Sequence, residues 1–228
     1  MRLFCNARLS IGITGLSYIL CVILVAGFAV SAQAATIDVS FIRITANAGE
    51  DVASQFTATI YDDTEANSTF STSLTSGQIL MAFTNAVGTD SAISEIYIDD
   101  GTIFGQDSVL NSLGGFTQFT GGGANPGNLP NGGSLTPAFV ATSAFSADAQ
   151  GNPSRGVDTN SDILGVVYDL LPGLDLTDVQ AALDDGTLRI GMHVRSIGAG
   201  GESDSFVNPE PASLALMCIG ALAVLRRR

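Results

Sequence analysis

The chain has no Trp, no Lys, one His and only three Cys in 228 residues. Each scarcity removes chemistry. One His cannot build a His-based metal cluster. The absent Trp removes the largest flat surface for stacking a sugar, leaving Tyr61, Tyr97 and Tyr168 for that role. The three Cys are Cys5, Cys21 and Cys218, so residues 35–207 contain neither a disulfide nor a thiolate metal site. Basic residues are scarce too. Nine Arg face 22 acids, a net charge of −13. That balance excludes nucleic-acid binding, which needs a basic footprint. The hydrophobic content of 46% is enough for a core and excludes wholesale disorder.

Both ends read as addresses. Arg2 and Arg8 give a short positive start, Ile11 to Val30 is almost wholly apolar, and Ala32-Gln33-Ala34 is a small-x-small cleavage site. The pattern predicts a secretory signal peptide over 1–34, a signal helix exported by the Sec machinery, cut between Ala34 and Ala35. The alternative is a retained N-terminal membrane helix. At the other end, Asn208-Pro209-Glu210-Pro211 precedes an apolar run, Ala212 to Leu225, closed by Arg226-Arg227-Arg228. As a helix this run spans about 21 Å, short of the ~30 Å hydrocarbon core. The three Arg would hold its end on the cytoplasmic side and leave the body outside.

Asn208-Pro209-Glu210-Pro211-Ala212-Ser213, the apolar helix and the Arg cluster resemble a PEP-CTERM sorting tail over 208–228. The resemblance implies recognition by an exosortase, a membrane cysteine transpeptidase-like enzyme of Gram-negative bacteria. It implies Pro209, Glu210 and Pro211 as recognition residues, with an association with exopolysaccharide, biofilm or cell surface. Asn208 stands where many members have Val. A plain tail anchor behind a Pro-rich spacer is the competing reading.

Without its ends, the body at 35–207 keeps four Arg against 21 acids, a net charge of −17. Period-2 alternation dominates it. Ile37, Val39 and Phe41 give way to Ile42 and Ile44, which predicts a bulge at Phe41-Ile42. Further stripes are Phe56, Ala58, Ile60; Ile79, Met81, Phe83; Ile96, Ile98; and Leu188, Ile190, Met192, Val194. Ile163 to Leu171 reads as a central strand. Thr177-Asp178-Val179-Gln180 fits a capping box, and Gly186 a helix stop, so 177–185 is predicted as a crossover helix. Gly121 to Pro137 is too long for a hairpin turn. The fold class expected is all-β: an antiparallel two-sheet β-sandwich, jelly-roll-like, with one short crossover helix. The stretches Ala124–Pro130 and Leu188–Val194 also resemble exported β-rich ectodomains that precede such tails, a resemblance that implies no activity.

Candidate chemistry is sparse. Alternation sets His193 on one face with Arg189 and Arg195. That setting predicts an exposed or interface His rather than a catalytic one, since a general base wants a carboxylate orienter. If the strands pair, the two Arg meet outward acids such as Glu95 and Asp99 in cross-strand ion pairs. The other reading of this face is a small anion patch. Asp158-Thr159-Asn160-Ser161-Asp162 has the D-x-N-x-D spacing of a Ca²⁺ loop, but Ile163 replaces the turn glycine and Asp169 the terminal Glu. An EF-hand is excluded; Asp158, Asn160 and Asp162 remain candidates for another Ca²⁺ site. Asp62-Asp63 and Asp99-Asp100-Gly101 read as solvated turns. Asn67-Ser68-Thr69 is a formal sequon. No nucleophile elbow or phosphate loop is present. The reading is a non-enzymatic exported surface or matrix protein. The alternatives are a carbohydrate-binding module, with or without Ca²⁺, and a carboxylate-based glycan-active enzyme.

Overall fold

The structure is a computed structural model and describes residues 36–209. The expected leader at 1–34 with Cys5, Cys21, Ala32 and Ala34, the cleavage residue Ala35, and the tail residues Glu210, Pro211, Cys218, Arg226, Arg227 and Arg228 lie outside the described residues. So do the two terminal helices expected there. Among the described residues, no helix is long and apolar enough to cross a membrane.

Alternation makes strands, and the strands make two antiparallel sheets. The first has the order β1 (Thr36–Val39), β3 (Phe56–Asp62), β4 (Gln78–Asn85), β9 (Ile163–Leu170), β6 (Phe104–Gly114). The second runs β2 (Ile42–Arg43), β11 (Glu202–Val207), β10 (Leu188–Ile197), β5 (Ala92–Asp100), β8 (Ala147–Ala149), β7 (Phe119–Gly121). Their facing stripes, Ile60, Met81, Phe83 and Val166 against Ile96, Ile98, Ile190 and Met192, join one core. Phe56 and Phe206 cross it edge-on at 5.1 Å between ring centroids. The two-sheet sandwich is therefore as expected. The sheets hold five and six strands in these orders, not the four and four of an eight-stranded jelly roll.

Three local expectations change. The slip at Phe41-Ile42 is not a bulge: the chain leaves the first sheet after β1 and enters the second at β2, with Phe41 in the core and Ile42 outside. The crossover helix α2 spans Leu176–Asp185 and does link the two sheets, but its cap is Asp175, not Thr177. Asp175 accepts from Thr177 N at 2.7 Å, and Asp178 accepts from Asp175 N at 2.9 Å. Two capping patterns overlap here, and the one that places a carboxylate at the helix start and buries Leu176 prevails. Gly186 ends the helix at φ 76°, as its position predicts. A second helix, α1 (Asp63–Phe70), replaces the turn expected at Asp62-Asp63. Asp62 caps it, accepting from Glu65 N at 2.7 Å.

The outer faces are covered as well. α1 and the segment after it pack Ala66 onto Leu80 and Val167 of the first sheet. From α1, Asn67 donates to Leu74 O at 2.9 Å and accepts from Leu74 N at 2.7 Å in that segment, so the sequon's amide is a structural tie. Segment 122–142 lies over the second sheet, packing Leu129 and Phe139 against Tyr97 and Val207. Gly191 lies beneath this segment: a Cβ there would meet Leu129 Cδ2 at 2.8 Å and Phe139 Cζ at 3.1 Å.

Candidate functional site

Pairing of β5 with β10 sets Arg189 opposite Asp99 and His193 opposite Glu95. The adjoining pairs add Ser205 opposite His193 and Asp148 opposite Glu95. One row of the outer face therefore reads Ser205, His193, Glu95, Asp148 across four strands. The expected cross-strand ion pairs form. Arg189 binds Asp99, and Arg195 binds Glu95. Glu95 is not an outward, solvated acid, however; it is fully buried. His193 does have a carboxylate neighbour, since its Nδ1 lies 2.8 Å from Glu95 Oε2, and the ring is largely covered rather than exposed. Sequence alternation gives the face but cannot show that a loop roofs it.

The basic face is not an open anion patch. Arg189 also donates to Pro137 O at 2.8 Å and Ala138 O at 2.5 Å, with its guanidinium 5.3 Å from the Phe139 ring centre. Segment 122–142 thus encloses it. Asn125 N donates to Asp148 at 3.2 Å, and Tyr97 donates to Pro126 O at 3.0 Å. Burial, then the Glu95 charge, holds the Asp148 carboxyl above the usual carboxylate range. The same two causes push the Tyr97 hydroxyl up.

Ser205, His193 and Glu95 have the order of an acyl-transfer relay. The hydroxyl does not complete it: Ser205 Oγ is sealed from solvent and makes no hydrogen bond among the described residues. The sequence reading missed Ser205 and Asp148 because their alignment depends on three strand registers at once. Two of the three Tyr named for sugar stacking, Tyr97 and Tyr168, are fully buried. Tyr61 is half-buried, edge-on to Phe70 at 5.3 Å.

The D-x-N-x-D loop spends its carboxylate on the backbone. Asp162 is buried and accepts from Phe116 N at 2.8 Å, Thr159 N at 2.9 Å and Asp158 N at 3.2 Å. Burial pushes its pKa up, but the bonds from Phe116, Thr159 and Asp158 outweigh it and hold the carboxyl below its ordinary value. Asp158 moves the other way, raised by burial and by Asp162. Asn160 is exposed. Among the described residues, no three His, Cys, Asp or Glu side chains converge to hold a metal ion. Asp158 instead lines an open polar groove of about 460 Å³ with Asp90, Asn152, Ser154 and Ser196. The other acidic turns are also committed: Asp100 accepts from Ile103 N at 2.7 Å and Phe104 N at 3.2 Å.

The body ends at the tail junction. Asn208 is buried; its N–H donates to Ile190 O at 3.0 Å, and its Oδ1 accepts from Ile190 N at 2.7 Å. Pro209 follows immediately, and from there residues 209–228 match the PEP-CTERM protein-sorting motif. The motif marks the chain as an exosortase substrate, and it covers Pro209, Glu210, Pro211 and the Arg226-Arg227-Arg228 cluster. No curated protein and no solved structure matches the chain.

Glu95→Gln leaves Arg195 and His193 without their buried counter-charge. It is expected to cost about 1–3 kcal/mol in urea unfolding at pH 7; an unchanged midpoint would show that the pair contributes nothing. Asp162→Asn is expected to cost about 1–2 kcal/mol at pH 7. A carboxyl with a depressed folded pKa stabilises above its unfolded value, near ~3.9, and loses that contribution as the pH falls through the folded value. The gap between variant and wild type should therefore close below about pH 4. A gap independent of pH would assign the loss to packing.

Proposed function

We propose that this chain is a non-enzymatic, exosortase-sorted surface or matrix protein associated with exopolysaccharide. The PEP-CTERM motif at 209–228, set directly behind a folded β-sandwich, carries the reading. In it, the leader directs export through Sec and is cut after Ala34. The tail then tethers the body to the inner membrane until the exosortase reads Pro209-Glu210-Pro211. The body is delivered to the cell surface or the surrounding matrix.

Two features support a non-enzymatic body. The Ser205-His193-Glu95 row, which has a catalytic order, has a sealed hydroxyl. Its acid, Glu95, is engaged by Arg195 as well as by His193. The test is intact mass and terminal sequencing of the protein from cells with and without the exosortase. The expected product begins at Ala35 and, only in cells with the enzyme, lacks the residues after the Pro-Glu-Pro region. Replacing Pro209, Glu210 and Pro211 together with Ala should abolish that loss. A full-length tail in cells holding the enzyme would overturn the reading.

The polar groove at Asp90, Asn152, Asp158 and Ser196 favours a second reading, a carbohydrate-binding body with or without Ca²⁺. Two carboxylates, an amide and a hydroxyl suit sugar hydroxyls, directly or through a hard cation. Retention of the body on native exopolysaccharide, lost on Asp90→Asn with Asp158→Asn, is the expected result. Equal retention of the variant would remove the groove from consideration, and loss of binding in EDTA would assign a cation to it.

A further inference from the structure

We propose that Asn208 is a latch that controls access of the exosortase to the sorting motif. The proposal rests on the reading of this chain as an exosortase substrate. β11 brings its last residues into two cores: Phe206 into the one between the sheets, and Val207 into the cluster under segment 122–142. Two positions on, the ladder meets Pro209, which has no N–H to continue it. Asn208 closes the strand instead. Its backbone N–H and its side-chain oxygen both engage Ile190, so one residue supplies the donor and the acceptor of a strand pair. It is 5% exposed.

No slack separates this latch from the motif, which starts at Pro209. An extended chain advances at most about 3.6 Å per residue, so a three-residue motif spans at most roughly 11 Å. A peptide recognised in extended form is read by pockets for side chains along the segment. Upstream of Pro209 the residues such pockets would hold are Phe206, Val207 and Asn208, all buried. The motif becomes a full extended substrate when the end of β11 lifts from Ile190. That is a local opening, costing less than global unfolding. The latch therefore makes tail processing depend on opening at this strand end.

The test uses the full-length chain in cells that hold the exosortase, with tail loss followed after pulse labelling. Asn208→Ala removes the side-chain acceptor. Insertion of Gly-Ser-Gly-Ser between Asn208 and Pro209 keeps the latch and adds reach. Both should shorten the half-time of processing about three- to tenfold, the range one hydrogen bond commands. Hydrogen exchange at the Ile190 amide should quicken in Asn208→Ala and stay at the wild-type rate in the insertion variant. Even if Asn208→Ala unfolds the body, the insertion decides the matter. A processing rate in the insertion variant at or below wild type would overturn the latch. Failure of every variant and of the wild type to lose the tail would instead overturn the exosortase reading, and the latch with it.

Discussion

The register between β5 and β10 is the constraint on which the rest of the molecule depends. The second sheet is buried on both faces, with the core on one side and segment 122–142 on the other. A slip of one residue would exchange Ile96 and Ile190 for Glu95 and Arg189. Each charge driven unpaired into the core would cost several kcal/mol, on the order of a whole domain's net stability when summed. In register, Glu95 meets Arg195 and His193, and Arg189 meets Asp99. The covering segment then finds its partners: Val140 N on Asp99 at 3.0 Å, Pro126 O on Tyr97, and Asn125 N on Asp148.

The same register explains what could and could not be seen in the residues alone. Alternation identified the β5 and β10 stripes and the side on which Arg189, His193 and Arg195 stand. Their acidic partners followed once the strands were paired. Burial of Glu95 did not follow, because period 2 separates two faces without saying which of them a distant loop covers. The change of sheet at Phe41-Ile42 leaves the same trace as a bulge, one shifted residue. α1 buries only Ala66, too little to imprint a helical period. The spacing at Asp158 to Asp162 suits a cation as well as it suits backbone amides, and the amides hold Asp162.

The division of charge separates address from body. Of the body's four Arg, Arg189 and Arg195 are spent on Asp99 and Glu95, and Arg43 on the carbonyls of Thr45, Ala48 and Glu50 and on Asp204, 3.6 Å away. Arg155 is exposed. The outer surface is thus more uniformly acidic than the count of residues suggests. Such a surface repels anionic polymers unless cations bridge them. The other five Arg lie in the terminal segments, outside the described residues.

The sheet edges set how copies of this protein tolerate crowding. The second sheet ends in β2, two residues long, and β7, three residues long; the first ends in β1, four residues long. The one long edge, β6, is broken by two register shifts, and Asn111 on it bonds both the N–H and the C=O of Phe119. Edge backbone that could template another strand is short or interrupted, the usual protection against edge-to-edge growth. A second copy of the chain would find little continuous backbone along these edges on which to add a strand.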